Sequence, residues 1–180
     1  MNPTHHGRRS LLGHACAAVA YVATALMPFA SATAWALDQP TGAVILTIKG
    51  LLELRNDGES ASFDIGLFNQ LPQHSFSART PWFETPRKFS GVLVSDLLKA
   101  VGSRGVAMKA LALNDFSVEI PLEDLIRHGA LIASRLDDQP IPVRSKGPLM
   151  LMFPFDDRPE IRTSIYYSRA IWQLRSVELR

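Results

Sequence analysis

LALNDFSVEIPLEDL, residues 111–125, holds two apolar stretches parted by Asn114 and Asp115. Asn and Asp favour tight turns and tolerate the left-handed backbone region. The segments on either side, 106–113 and 116–121, read as strands joined by that turn. Pro121 then opens a helix over 121–129, with Glu123 and Asp124 in its first turn and Gly129 at its end. The stretch fixes a pattern of short strands leading into short helices. It leaves open whether Asn114 and Asp115 form only a hairpin turn or also the floor of a site.

The same pattern extends both ways. Downstream, ALIASRLD (130–137) reads as a strand and DDQPIPVRSKG (137–147) as a turn-rich connection. PLMLMFPF (148–155) reads as a buried strand. An irregular stretch follows, and AIWQLRSVELR (170–180) closes as a strand with a kink or bulge. Upstream, residues 93–102 place apolar side chains at 93, 94, 97, 98 and 101, one face of a helix that Gly102 ends. PWFETPRKFSGV (81–92), with two prolines and a glycine, reads as a long irregular loop. HSFSART (74–80) alternates as a strand. Residues 64–70 fit a helix begun by Asp64 and closed by Pro72. Asn56-Asp57-Gly58 marks a turn after a strand at 43–50. Short strands with three short helices predict an α+β domain, mostly β.

The first 36 residues stand apart. Arg8 and Arg9 precede an apolar, Ala-rich run from Leu11 to Met27, and small residues at Ala34 and Ala36 precede Leu37. This is the layout of a secretory signal peptide, cut ahead of Leu37, and it predicts a periplasmic domain over 37–180. The whole chain has 19 Lys+Arg and 17 Asp+Glu; Arg8 and Arg9 fall in the leader, so the domain is neutral. Neutrality without a basic run argues against nucleic acid. The single cysteine, Cys16, lies inside the apolar run. The processed domain thus has no thiol for a disulfide, a nucleophile or a metal. His74 and His128, its only histidines, are not at ligand spacing. Neither a Gly-x-Ser-x-Gly motif nor a phosphate loop is present.

Singly, each remaining candidate has an ordinary structural reading: Asn114 and Asp115 a turn, Arg135 a solvent-facing strand residue, Trp82 a core aromatic, SKGP (145–148) a turn. In order, however, FSGVLVSDLLKAVG (89–102), LALNDFSVEIPLEDL (111–125), ALIASRLDDQPIPVRSKGPLMLMFPFD (130–156) and YYSRAIWQLRSVEL (166–179) resemble consecutive blocks of the sulfite oxidase-like family, the oxidoreductase molybdopterin-binding domain. The likeness covers most of residues 43–180. It implies that family's fold and a molybdenum–pterin cofactor held by one cysteine thiolate, as well as the twin-arginine export to which GRRSLLG (7–13) is similar.

The chain departs from the family where the chemistry lies. The resemblance puts the thiolate within Arg79 to Trp82, and no cysteine is there. Phe116 stands where sulfite-oxidising members carry a tyrosine, and Lys146-Gly147-Pro148 where a His-Gly-Pro is found. Phe cannot donate a hydrogen bond to an oxo group, and loss of the thiolate removes a strongly donating ligand. The expectation is a cleft with no catalytic residues, no metal ligands and no bound cofactor. It would take a small anionic ligand, or a membrane-bound signalling or redox partner. The contacts named are Arg79, Thr80, Trp82, Asn114, Asp115, Arg135, Arg144, Lys146 and Gly147, the cations among them suited to carboxylate, phosphate or sulfonate. The alternative is a molybdopterin-dependent oxidoreductase with non-cysteine metal coordination, in which Asn114, Arg144 and Lys146 hold the pterin. A third possibility is an accessory subunit whose cleft face docks another protein.

Overall fold

The computed structural model describes residues 37–180; the export segment expected over 1–36 lies outside them. In chain order the elements are β1 (Val44–Gly50), β2 (Ala61–Asp64), α1 (Ile65–Gln70), β3 (Gln73–Thr80), β4 (Phe83–Leu93), α2 (Val94–Ala100), β5 (Ala107–Ala112) and β6 (Ser117–Pro121). They continue as α3 (Leu122–Arg127), β7 (Leu131–Leu136), β8 (Gln139–Pro140), β9 (Met150–Met152), α4 (Ser164–Arg169) and β10 (Leu174–Leu179). The chain is mostly β with a few short helices.

Two five-stranded sheets form. The first runs β2–β1–β10–β5–β6, with β10 parallel to β1 and antiparallel to β5. The second runs β3–β4–β7–β8, with β9 also paired to β7. The alternation in β1 and β10 buries Leu46, Ile48, Leu174, Val177 and Leu179, while Lys49 and Glu178 face solvent. Both sheets feed one apolar core, in which Phe63, Phe68, Phe89, Phe153 and Phe155 are fully buried. Truncating a phenylalanine at such a site costs about 3–5 kcal/mol, transfer and cavity terms together.

Two polar anchors tie the start of the domain to this core. Buried Asn56 donates to the carbonyls of Asp38 and Ser62 and accepts from the Ser62 amide. Asp64 caps α1 by accepting from the Leu67 amide, and its other oxygen accepts from the amides of Thr41 and Gly42.

The structure corrects the reading of 81–92. That stretch is not a loop: most of it is β4, the longest strand, paired to β3 and β7. Its prolines fall where no ladder bond is needed. Pro81 sits in the two-residue turn between Thr80 and Phe83. Pro86 lies in a bulge, where the register shifts between Ala78 and Thr80. Gly91 marks close approach instead: a Cβ there would lie 2.0 Å from the Ile132 carbonyl oxygen. Three smaller corrections follow. Residues 164–169, expected to be irregular, form α4, so the chain has four short α-helices among the described residues. The strand expected over 148–155 is regular only at Met150–Met152. β2 follows the Asn56-Asp57-Gly58 turn unannounced, because its four residues are all buried and show no alternation.

Candidate functional site

A cavity of about 270 Å³ opens where four local structures meet. The two-residue β3–β4 turn contributes Trp82. The β5–β6 turn contributes Asn114 and Phe116. Helix α4 contributes Tyr167 and Ser168, and the run into β10 contributes Trp172 and Gln173. Trp82 stands edge-on to Tyr167 at 6.0 Å between centroids and to Trp172 at 5.4 Å, so three rings brace one wall.

The β5–β6 turn is tight because of its residue types. The Asn114 side-chain oxygen accepts the Phe116 amide, and Asp115 adopts a left-handed φ of 64°. Asn114 shapes the turn and also lines the cavity. Asp115 does not line it and pairs with Arg175 at 2.9 Å.

Lys146 sits behind the aromatic wall. Its ammonium lies 3.3 Å from the Trp172 ring centroid and 5.6 Å from that of Phe83. Its backbone is fixed by the Gln173 amide, which donates to the Lys146 carbonyl at 2.8 Å, while the Gln173 side chain donates to the Val143 carbonyl. The next residue, Gly147, leaves no room for a side chain. Burial against the rings pushes the Lys146 ammonium below the ordinary lysine range. Among the described residues no carboxylate pairs with it.

The other expected contacts divide. Thr80 is buried at the end of β3, and its hydroxyl lacks a partner among the described residues. Arg79 and Arg144 are exposed, and no acid pairs with them among those residues. Arg135 reaches only the amide oxygen of Gln73, at 3.2 Å, and does not line the cavity. This contrasts with most of the surface, where Arg87, Lys88, Lys99, Arg104, Arg127 and Arg169 each face an Asp or Glu. Tyr167, Ser168, Trp172 and Gln173 were not anticipated. Thr163, in the N-cap position ahead of SIYYSR, was the one available signal for the helix that carries two of them.

The donor set does not fit a thiolate-held molybdenum. The stretch where the resemblance puts the cysteine is the end of β3 and its turn, Arg79-Thr80-Pro81-Trp82, with no metal-ligating side chain. Among the described residues no three His, Cys, Asp or Glu side chains are grouped to hold a metal ion.

No family model matches the sequence, and a search of curated proteins found no match. Among solved structures the chain is similar to the sulfane dehydrogenase SoxCD from Paracoccus pantotrophus, with a TM-score of 0.55 and 13% identity over 74% of this chain. It spans 37% of that protein's length. At this identity the likeness is one of fold.

Proposed function

We propose that the chain is an exported domain of the sulfite oxidase-like fold whose cleft binds a small organic anion rather than a thiolate-held molybdenum centre. The observation that carries the reading is Lys146, a desolvated ammonium held by aromatic rings and lacking a carboxylate partner among the described residues. A half-buried cation without a counter-charge favours any anion brought near it. Trp172 joins this cation to the cavity, since one indole both carries Lys146 and lines the space. The aromatic wall takes an apolar body, Asn114 and Gln173 supply polar contacts, and the cavity volume limits the ligand to a small molecule. Gly147 fixes the turn that carries Lys146, and Arg79, Thr80 and Arg144 are the further contacts of this reading. Residues 1–36 would deliver the domain to the periplasm, where a membrane-bound signalling or redox protein would respond to the liganded state.

The test uses intrinsic tryptophan fluorescence, because Trp82 and Trp172 report on the cavity. Benzoate, methanesulfonate and inorganic phosphate are titrated separately into the processed protein. Benzoate is expected to quench saturably, with Lys146→Met weakening it about ten- to a hundredfold. Affinity should also fall with rising pH sooner than for an ordinary surface lysine, because the Lys146 charge is lost early. No saturable quenching by any of the three, or equal affinity in Lys146→Met, overturns the anion site. Molybdenum and pterin are assayed in the same sample, purified from a host that makes and exports the cofactor. Stoichiometric amounts of both would overturn the departure from the family's chemistry.

A further inference from the structure

The outer face of the first sheet carries a cross-strand row of alternating charge. Lys49 on β1 is opposite Glu178 on β10, Glu178 is opposite Lys109 on β5, and Lys109 is opposite Glu119 on β6. The row thus reads plus, minus, plus, minus across four adjacent strands. Arg180 donates to Glu178 at 3.0 Å and to Glu119 at 2.9 Å, which holds both carboxylates in place. In the next row Thr47, Ser176 and Ser117 are small, with Leu111 in register between the two serines. Beyond it lies an apolar shoulder, where Val44, Leu113 and Val143 are 47%, 42% and 55% exposed. Shallow grooves of about 750 and 400 Å³ run along the face.

We propose that this face binds a second copy of the chain, sheet against sheet, about a two-fold axis lying along the strands between β10 and β5. A two-fold axis in the plane of a face reverses the order of any row that crosses it. Reversal turns plus, minus, plus, minus into its complement. Lys49 of one copy then meets Glu119 of the other, and Glu178 meets Lys109, with each contact made twice. A closed interface of this kind needs a self-complementary patch, and few charge patterns meet that condition. The small residues of the second row allow close sheet-to-sheet approach, and the apolar shoulder supplies the area removed from water. Five strands about 4.8 Å apart make a face about 20 Å wide. With strands roughly 20 Å long the face offers about 400 Å² per copy, below the size of standard interfaces, so the dimer is expected to be weak and to form toward the upper end of micromolar concentrations.

Sedimentation equilibrium on the processed protein, between about 1 and 100 µM, tests this. The wild type is expected to dimerise, more weakly at high salt. Lys49→Glu puts like charges at two contacts and is expected to be monomeric; Glu119→Lys does the same with the opposite sign. Both positions are exposed, but Glu119→Lys also gives up the pair with Arg180, so the fold of both variants is checked by their melting temperatures. An equal mixture of the two is expected to regain the dimer, because the carboxylate introduced by Lys49→Glu faces the ammonium introduced by Glu119→Lys, and the native Lys49 and Glu119 face each other at the second contact. Wild type that stays monomeric overturns the proposal. So do single variants that dimerise as well as wild type, or a mixture that stays monomeric.

Discussion

Asp64→Ala is expected to lower the melting temperature by roughly 5–10 °C. Asp64 is only 3% exposed, and its carboxylate accepts from three backbone amides and from the Thr41 hydroxyl. One of those amides, Leu67, belongs to the first turn of α1; the other two belong to the segment entering β1. Alanine removes the helix cap and leaves all three donors without their acceptor, which is worse than never having built the site. The acid dependence carries a second signature. The Leu67 and Gly42 amides hold the Asp64 carboxyl below the ordinary aspartate range; burial opposes them, and the Thr41 amide and hydroxyl add to the lowering. A carboxylate with a depressed folded value stabilises fully above its unfolded value, near 3.9. That contribution is lost as pH falls through the folded value. Melting curves for wild type and Asp64→Ala should therefore differ most near neutrality and converge in acid. A gap that stays constant with pH would contradict the charged-acceptor role.

Gly147→Ala is expected to abolish anion binding and cost about 1–3 kcal/mol of stability. A Cβ at this position would lie 1.9 Å from the Ile141 carbonyl oxygen, 2.6 Å from its carbon and 3.0 Å from the Pro142 oxygen. These are backbone atoms and have no rotamer to escape into. The turn from Pro142 to Gly147 would have to open, breaking the Gly147 amide bond to Pro142 and the bond from Gln173 to Lys146. Lys146 would then leave Trp172. Tryptophan fluorescence should change without added ligand, whereas Lys146→Met should lose the cation and keep the turn. Wild-type anion affinity in Gly147→Ala would show that the turn does not position the site.

The sequence was informative where its signals were local. Asp64 as a helix start, Asn114-Asp115 as a turn, Gly102 as a helix end and the bulged final strand all follow from short-range backbone chemistry, and the structure has each of them. Strand β4 is hidden in the sequence because its prolines read as breakers, whereas the bulge opposite Arg79 frees Pro86 from the ladder. The cavity was half legible. Trp82 and Asn114 are legible from the sequence, but Tyr167 and Trp172 come from α4 and its exit, and a six-residue helix has too little periodicity to announce itself. Arg135 illustrates the opposite limit: its residue type suits an anion, yet only the fold shows that its guanidinium reaches Gln73 and not the cavity. Composition identifies cations, and only tertiary structure shows which of them lack an acid.

The central strand of the first sheet is also its last to be synthesised. β10 lies between β1, which precedes it by most of the domain, and β5, which precedes it by the stretch from β6 to α4. Until residues 174–179 emerge from the ribosome, the β2–β1 and β5–β6 hairpins each carry an open inner edge that only β10 can fill. Unfilled edges invite pairing with other chains, and such distant pairings close slowly. This sheet is therefore completed only when its last strand in chain order is in place, and a chaperone that shields β1 and β5 until then would raise the yield of native protein. A nonsense change shortly before Leu174 would leave two separate hairpins in place of one sheet.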